Sequence, residues 1–453
     1  MKRGLELPPD FSAKLREAAK ALREHNSVRV ISHYDADGIT AASVIGSCLR
    51  RAGIRFQATI TKSLEKKFVE RLSEEHFDCM LFLDMGSGQI ENLERLRPEI
   101  IVMDHHKPVR ESNTVKQVNP HFFDLDGMRD ISASGIAFAF ALAVDDENWE
   151  SAPIAIAGMI GDMQHLGSYS SINESILSGA MERKLIIRGN GLKLGNGRLV
   201  EIISRSTNPY FQGLSGHPDA AEDFIKEGGL DPETKYSDLG DSAVRKMLSI
   251  LTIRLLRQGC DTSVLEHLWG ETIMITRPPF RGMQVNDLTE LVNSCGRTEH
   301  SGLGMALCMG DTSTLHEAGK YQSEYFQGLL SELRKIEDGA VEMLENIQLV
   351  RPSRSTLAGA VCGISMQYLL DQSKPTLALT IVDGSLKVSS RGTLKLVGDG
   401  LDLSESMRSS AEALGGVGGG HAVAAGATVP ASLEKEFLEK VDSSTGRQLK
   451  SKK

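Results

Sequence analysis

The sequence of 453 residues predicts an α/β protein whose first domain is a doubly wound parallel sheet. Three short runs rich in apolar and β-branched residues, at 28–32, 79–83 and 99–103, are typical of strands buried on both faces. Helical patterns separate these runs, and strands that alternate with helices form parallel βαβ units. Because such sheets bind ligands beyond the carboxyl ends of their strands, the residues that follow each strand are the first candidates for chemistry.

The intervening segments support this order of elements. Residues 39–46 are small and apolar and predict a helix packed on the sheet, which ends at Gly53 before a strand near 56–60. Ser132 and Ser134 are candidate N-caps of an apolar helix that ends near Val144. Residues 152–160 predict a further apolar helix, which leads directly to Asp162.

Acidic side chains follow the predicted strands and this last helix. In chain order they lie in HYDADG at 33–38, at Asp84, in DHH at 104–106 and at Asp162. A single site of this kind is more often a turn or a cap, but four sites in one half of the chain, two with histidine, favour a metal centre. Carboxylates at neighbouring strand ends repel one another, and divalent cations relieve that repulsion.

The ligand types indicate the metal and the reaction. Carboxylate and imidazole ligands without thiolate suit Mn²⁺ or Mg²⁺, and the histidines favour Mn²⁺. Two such ions support in-line displacement at a phosphoryl group. The sequence therefore predicts two divalent cations and phosphodiester hydrolysis.

Composition excludes several other classes of protein. The net charge of −9 argues against a broadly basic nucleic-acid-binding surface, which leaves local patches such as Lys62, Lys66, Lys67 and Arg71. The six cysteines form no C-x-x-C pair, so neither a zinc knuckle nor a disulfide framework is predicted. No apolar run of about 18 residues could span a bilayer, and we expect a cytoplasmic protein without a membrane partner.

Changes in pattern divide the chain into segments. We predict a catalytic domain, a mostly helical insertion, a return to the catalytic domain, a connector helix, a smaller second α/β domain and a disordered tail. The respective ranges are 1–189, 190–280, 281–311, 312–350, 351–445 and 446–453.

The second half of the chain contains candidate phosphate-binding residues. Glycine frees backbone N–H groups to hold a phosphate, and Arg and His side chains add directed donors. The candidates are Ser390, Arg391, Gly418, Gly419, Gly420 and His421. Arg297, in the segment NSCGR, either contacts a substrate phosphate or forms a structural ion pair.

These motifs resemble a known family. HYDADG, the DMG at Asp84, DHH and the GD at Asp162 are similar to the four motifs of the DHH phosphoesterases, and SSRG with GGGHAVAAG is similar to their associated C-terminal domain. GLSG, NSCGR and the insertion most resemble the archaeal RecJ-like nucleases, relatives of the eukaryotic replicative-helicase cofactor that joins MCM and GINS. The resemblance covers most of the chain.

The resemblance also implies roles for individual residues. One ion is expected on His33, Asp35 and Asp84. The second is expected on Asp37, Asp84, His105 and Asp162, so that Asp84 bridges both. Asp104 is expected to orient His105, and His106 to contact the scissile phosphate.

The leading hypothesis is a single-strand-specific exonuclease on DNA or RNA that takes part in DNA replication or repair. One alternative is a hydrolase of short oligonucleotides or cyclic dinucleotides. Another is a replisome scaffold associated with GINS and MCM. Apolar residues of the insertion could form a surface for GINS, and through it the MCM helicase: Phe211, Leu214, Phe224 and Ile225.

Overall fold

The computed structural model describes residues 4–166 and 168–450. The described chain forms two compact units. Unit 1 contains the described residues up to Gly191 together with Glu271–Ser323. Unit 2 contains Leu192–Gly270 and the described residues from Glu324 onward. Most of the insertion is therefore part of the same unit as the C-terminal segment that begins at Glu324.

Unit 1 is built on a five-stranded sheet in the order β2-β1-β3-β4-β5, and every neighbouring pair is parallel. This confirms the predicted doubly wound parallel sheet, with its topological switch between β1 and β3. The strands are β1 (Ser27–His33), β2 (Arg55–Thr61), β3 (Cys79–Leu83), β4 (Glu99–Met103) and β5 (Lys116–Val118). A separate two-stranded sheet pairs β6 (Ile186–Leu192) with β7 (Trp269–Ile275).

Helices cover both faces of the five-stranded sheet. In β3, Leu81 packs into the larger apolar cluster of unit 1 and the next residue, Phe82, packs into a smaller cluster on the opposite face. This alternation explains why the strands are continuous apolar runs. The helices of the first part of the chain are α1 (Pro9–Leu22), α2 (Ala36–Arg51), α3 (Lys66–Leu72), α4 (Ile90–Leu93), α5 (Ala133–Val144), α6 (Ala152–Gly161) and α7 (Ser171–Glu182).

The insertion is helical, as predicted, and shares an apolar core with the helices that follow it. Leu251 of the insertion belongs to the same buried cluster as Leu329 and Val361. The insertion helices are α8 (Leu199–Ser204), α9 (Pro218–Glu227), α10 (Asp241–Arg257) and α11 (Leu265–Leu268). After the insertion come α12 (Val285–Arg297), α13 (Ser301–Cys308) and α14 (Leu315–Glu337).

The C-terminal part of unit 2 is a second α/β fold around a six-stranded sheet in the order β12-β13-β11-β10-β9-β8. Its strands are β8 (Glu342–Met343), β9 (Gln348–Val350), β10 (Thr376–Val382), β11 (Ser385–Arg391), β12 (Val417–Gly420) and β13 (Ala424–Pro430). Its helices are α15 (Ser355–Tyr368), α16 (Leu394–Gly398), α17 (Leu403–Glu412) and α18 (Glu434–Lys450). Helix α15 packs on β10 and β11, whereas α17 packs on β12 and β13.

The structure corrects two predicted ranges. The connector helix does not extend over 312–350: α14 ends at Glu337, Gly339 follows with a left-handed φ of 99°, and β8 and β9 occupy the remainder. Residues 446–450, predicted as disordered, form the last turn of α18, which buries Phe437, Val441 and Thr445. Residues 451–453 of that predicted tail lie outside the described residues.

Two further expectations can be compared with the structure. All six cysteines are free and buried. Among the described residues, no helix combines the length and apolarity needed to cross a membrane.

Candidate metal centre

The turn after β1 supplies two candidate ligands because the chain passes directly from strand into helix. His33 ends β1, and Asp35 is the N-cap of α2, where its Oδ1 accepts a hydrogen bond from the Gly38 backbone N–H at 3.0 Å. A Cβ at Gly38 would collide with the backbone of His33, so glycine is required at this position. The Nδ1 atom of His33 lies 2.9 Å from Asp35 Oδ2.

Asp84 lies at the centre of the cluster. It follows β3 with a left-handed φ of 57°, and its backbone N–H still donates to the Met103 carbonyl at 2.9 Å. Its buried carboxylate lies 3.2 Å from His33 Nδ1 through Oδ2 and 3.3 Å from His105 Nε2 through Oδ1. One side chain therefore contacts the histidines that follow two different strands.

The DHH segment after β4 directs its two histidines through different partners. Asp104 is buried, and its Oδ1 lies 2.8 Å from His106 Nδ1 while its Oδ2 accepts from the Ser87 N–H at 2.9 Å. His105 Nδ1 instead lies 2.7 Å from the carbonyl oxygen of Gly127. The expectation that Asp104 orients His105 is wrong, because the two Asp104 oxygens contact His106 and the Ser87 N–H, and neither contacts the His105 ring.

Two helix ends complete the cluster. Asp37 is buried and accepts hydrogen bonds from the backbone N–H groups of Ala133 at 2.8 Å and Ser134 at 2.9 Å, in the first turn of α5. A helix N-terminus stabilises a carboxylate in this position. Asp162 caps the end of α6, and its Oδ2 lies 3.1 Å from His105 Nε2.

Three groups of these side chains have the spacing of metal ligands. They are His33 with Asp35 and Asp84, Asp37 with His105 and Asp162, and Asp84 with His105 and His106. Asp84 Oδ1 and His105 Nε2 are buried and make no hydrogen bond, although they lie 3.3 Å apart. Buried polar atoms normally make hydrogen bonds, so two such atoms 3.3 Å apart that make none fit a shared cation.

Three of these groups have pKa values raised above their usual range. Burial opposes protonation of His33, but Asp35 and Asp84 outweigh it and raise its pKa to about 11. Burial and the charge of Asp84 raise the pKa of Asp37 to about 6. Burial also raises the pKa of Asp162 well above its usual range, which the neighbouring His105 only partly opposes. Such shifts mark a concentration of charge that divalent cations relieve.

Arg297 lies beside the HYDADG turn. Its Nη1 donates to the Tyr34 hydroxyl at 2.6 Å, and its charge contributes to lowering the pKa of Asp35, although burial opposes that shift and His33 is the larger cause. A Cβ at Gly296 would overlap the carbonyl oxygen of Tyr34. The glycine and arginine of NSCGR are thus explained by the packing of α12 against this turn.

The glycine-rich segment of unit 2 is an ordered edge strand. Residues Gly418, Gly419 and Gly420 lie in β12 and pair antiparallel with β13. A Cβ at Gly418 would collide with the backbone of Met407 in α17, and Gly420 has a left-handed φ of 142°. The exposed His421 begins the turn into β13, with its backbone N–H donating to the Ala424 carbonyl at 2.8 Å.

Strand β11, which pairs with β13, places its two candidate residues on opposite faces of the sheet. Arg391 pairs with Ala424 at the end of the ladder, close in register to the turn at His421. Ser390 is buried, and its hydroxyl donates to the Ala425 carbonyl at 2.9 Å. Successive residues of a strand point to opposite faces, so Ser390 holds the strand pair together while Arg391 lies on the other face.

Comparisons with known proteins agree with this geometry. Residues 27–161 match the DHH family, N-terminal domain, and residues 350–446 match the DHHA1 domain. An uncharacterized protein of Methanocaldococcus jannaschii is 30% identical over 443 residues, which are 95% of this chain and 96% of that protein. The chain belongs to the DHH family.

Within the family, this DHH protein is RecJ-like. The single-stranded-DNA-specific exonuclease RecJ of Thermus thermophilus is 30% identical over 173 residues, 34% of this chain and 26% of RecJ. The structure of that RecJ in complex with Mn²⁺ aligns with a TM-score of 0.61 and 20% identity, over 98% of this chain and 56% of RecJ. This DHH protein therefore spans just over half of the RecJ chain.

A further structure, CDC45 from Entamoeba histolytica, aligns with a TM-score of 0.68 and 11% identity, over 96% of this DHH protein and 99% of CDC45. At these identities the two structural matches show the fold alone. Membership in the family is consistent with a phosphoesterase.

Sequence reasoning missed the groups of this DHH protein that position the ligands. The Gly127 carbonyl holds His105, and the N-terminus of α5 holds Asp37. Gln164 also donates to the Gly127 carbonyl, at 2.9 Å. Backbone groups leave no side-chain pattern in the sequence. Only the predicted cap at Ser132, which the structure confirms, indicated one of them, the N-terminus of α5.

Proposed function

We propose that this protein is a metal-dependent exonuclease that hydrolyses phosphodiester bonds of single-stranded DNA or RNA. The observation that carries the proposal is that two buried atoms, Asp84 Oδ1 and His105 Nε2, make no hydrogen bond at the centre of a carboxylate and imidazole cluster. The similarity to RecJ supports the choice of nucleic acid as substrate.

The proposed ligands form two sets that share Asp84. His33, Asp35 and Asp84 would hold one ion. Asp37, His105 and Asp162, with Asp84 as the shared carboxylate, would hold the other. Divalent cations bound there, with Mn²⁺ preferred over Mg²⁺, would stabilise phosphoryl charge as Lewis acids and activate a water nucleophile.

His106 is the proposed donor to the scissile phosphate. Its side chain is 49% exposed, unlike that of His105, and its Nδ1 is fixed 2.8 Å from Asp104. The hydrogen bond to Asp104 raises the pKa of His106, and burial only partly opposes this. Asp104 remains ionised, since its partner His106 lowers its pKa to about 2 against the effect of burial. Asp104 thus positions an imidazole whose protonated form could donate to a phosphate oxygen.

Unit 2 contributes further proposed phosphate-binding residues. Arg391 and His421 lie at one end of the sheet, next to the glycines of β12. Arg297 is the proposed substrate contact of unit 1, held in place by the Tyr34 hydroxyl. Ser390 acts on this site only by fixing β11 against β13.

Digestion of single strands labelled at the 5′ or the 3′ end tests the proposal. DNA and RNA 20-mers are incubated with Mn²⁺, with Mg²⁺ and with EDTA, and products are resolved by length. We expect stepwise shortening from one end with either metal and none with EDTA. Cleavage of dimers but not of 20-mers would favour the hypothesis of a short-oligonucleotide hydrolase. If no strand is cleaved, the replisome scaffold is the remaining hypothesis.

Association with GINS, and through it with MCM, is proposed on the family resemblance, together with a cytoplasmic location. Three of the four docking residues suggested by the sequence do not fit, because Phe211, Leu214 and Ile225 are buried in the core of unit 2, whereas Phe224 is partly buried. Two large apolar side chains of α10 are instead exposed, Ile253 by 47% and Leu256 by 45%. They are the better candidates for a contact with a partner.

A pull-down with purified GINS tests this association. The doubly substituted variant Ile253→Asp, Leu256→Asp is compared with Ile381→Asp, which introduces a single negative charge at an exposed position of β10. Loss of GINS binding in the first variant alone, with nuclease activity retained in both, is the expected result. Equal binding by all three proteins would refute docking through α10.

A further inference from the structure

A cavity of about 520 Å³ opens beside the metal centre, entirely within unit 1. It lies between the end of β2, the following helix α3 and the start of α13. Tyr34 is part of its wall and sits in the chain between the candidate ligands His33 and Asp35. Its volume is in the range of pockets that bind small molecules or parts of larger ligands.

The sheet order places this cavity next to the cluster of ligands. The ligands follow β1, β3 and β4, and the cavity lies at the end of β2, which neighbours β1 on the other side. Both features are at the carboxyl edge of the parallel strands, and Tyr34 is common to them. A group bound in the cavity would therefore be adjacent to the reacting phosphate.

The charges of the wall argue against a phosphate in the cavity itself. The ionisable side chains other than Tyr34 are two cations and two anions, namely Lys62, Arg71, Glu65 and Glu299. Lys62 Nζ is also paired with Glu299 at 2.7 Å. A site that selects an anion needs a net excess of donors and positive charge, which these side chains do not provide.

The remaining wall suits a flat, uncharged heterocycle. Tyr34 and Phe68 are partly exposed aromatic rings, and Ile60 and Met305 add apolar surface. Arg71 lies 5.5 Å from the centroid of the Phe68 ring. Aromatic rings beside cationic and polar side chains are typical of surfaces on which nucleic-acid bases stack.

We propose that this cavity binds the base of a nucleotide adjacent to the scissile phosphate and so sets which nucleotide is positioned for cleavage. The inference rests on the proposed function, because it names a subsite for the same substrate. Phe68 is the proposed stacking ring, and the phosphate itself stays at the metal centre.

Gly302 permits a direct test, since it lines the cavity and a Cβ there would meet no atom within 4 Å. Gly302→Leu would occupy part of the cavity, and Phe68→Leu would remove the ring while keeping an apolar side chain. Gly319→Leu is the matched control, because Gly319 also lies in a helix with open space around its Cβ and does not line the cavity. Folding of each variant is checked by thermal melting.

The substrates are 10-mers that carry a single abasic residue at each position in turn. For the wild type and Gly319→Leu, an abasic residue at one position next to the cleaved bond should raise KM by about 5- to 100-fold, as expected for the loss of one stacked base. Phe68→Leu and Gly302→Leu should show a similar rise on the intact strand and little further change with the abasic strand. The same pattern is expected for strand binding in EDTA, measured by fluorescence anisotropy.

Non-additivity of the side-chain and base deletions is the decisive readout, because groups in contact couple whereas independent groups do not. Fully additive effects, or no effect of Gly302→Leu on folded enzyme, would overturn the subsite and leave the nuclease intact. Absence of cleavage of every strand by the wild type would overturn the proposed function. In that case strand binding in EDTA still tests whether the cavity binds a base. Equal binding affinity with and without the Phe68 ring, and with and without the base, would refute the subsite.

Discussion

Replacement of the shared carboxylate, Asp84→Asn, should nearly abolish activity without unfolding the protein. The amide has the same shape as the carboxylate, and asparagine tolerates the left-handed φ of 57° at this position. The control is Asp383→Asn, since Asp383 has a similar φ of 50° but is exposed in the turn between β10 and β11. The two substitutions therefore differ in their surroundings and not in backbone demands.

The distances around Asp84 set the expected magnitude. Its two oxygens lie 3.2 Å from His33 and 3.3 Å from His105, which belong to different ligand groups. Two unit charges about 4 Å apart interact by about 4 kcal/mol at an effective dielectric constant of about 20. Loss of an interaction of about 4 kcal/mol in the transition state lowers the rate about a thousandfold. Because both proposed ion sites would share this carboxylate, we expect a fall of at least that size.

Two measurements check the expectation. Single-strand hydrolysis is followed at saturating Mn²⁺, and Mn²⁺ binding is titrated by calorimetry. Asp84→Asn should lose activity and bind fewer ions per chain, whereas Asp383→Asn should match the wild type in both. Near-normal turnover of Asp84→Asn at saturating Mn²⁺ would refute the role of a shared ligand.

Four further outcomes are expected. Gly296→Ala should lower the free energy of unfolding by about 1–3 kcal/mol in a urea titration, because the added methyl overlaps the carbonyl of Tyr34; an unchanged midpoint would contradict this packing. Arg391→Ala and His421→Ala should each raise KM about ten- to a hundredfold in steady-state assays, since charge-assisted phosphate contacts are worth about 1.5–3 kcal/mol; a collapse of kcat at unchanged KM would place them in the chemistry. Burial opposes the shift, but hydrogen bonds from His25 and Lys116 lower the pKa of Glu99. The ionised Glu99 side chain therefore stabilises the folded protein above the pKa of the unfolded state, and this stabilisation is lost as the pH falls through the pKa of the folded state. Glu99→Gln should therefore cost about 1 kcal/mol or less at pH 7 in denaturant titrations and show a weaker loss of stability in acid than the wild type. Finally, Mn²⁺ at about a hundred times its Kd should stabilise the protein by about 2.7 kcal/mol in thermal melts, an effect that EDTA reverses; a melting temperature indifferent to Mn²⁺ would argue against a built metal site.

Much of unit 1 could be predicted because its signals are local. The strands β1, β3 and β4 are apolar runs buried on both faces, and each ends where an ionisable residue begins. The parallel arrangement then brings those residues to one edge of the sheet. Ser132 was predictable as a cap for the same reason, since capping depends on a few neighbouring residues.

Predictions failed where the outcome depends on distant contacts. The polar segment that forms the end of α18 is ordered because Phe437 and Val441 of the same helix are buried. Phe211 and Leu214 of the insertion were candidates for a partner surface, yet they pack in a core shared with α14 and α15. Hydrophobicity indicates burial or binding equally well, and only the fold distinguishes the two.

The sequence by itself determined the fold class, the family and the set of ionisable residues that meet at the sheet edge, because strand periodicity and motif spacing are properties of neighbouring residues. The tertiary structure decided how those residues are used. In the folded protein Asp104 contacts His106, His105 contacts the Gly127 carbonyl, and Asp84 lies between two histidines. These contacts depend on how strands and loops that are distant in the sequence are oriented around the same small site. No local sequence pattern encodes that orientation.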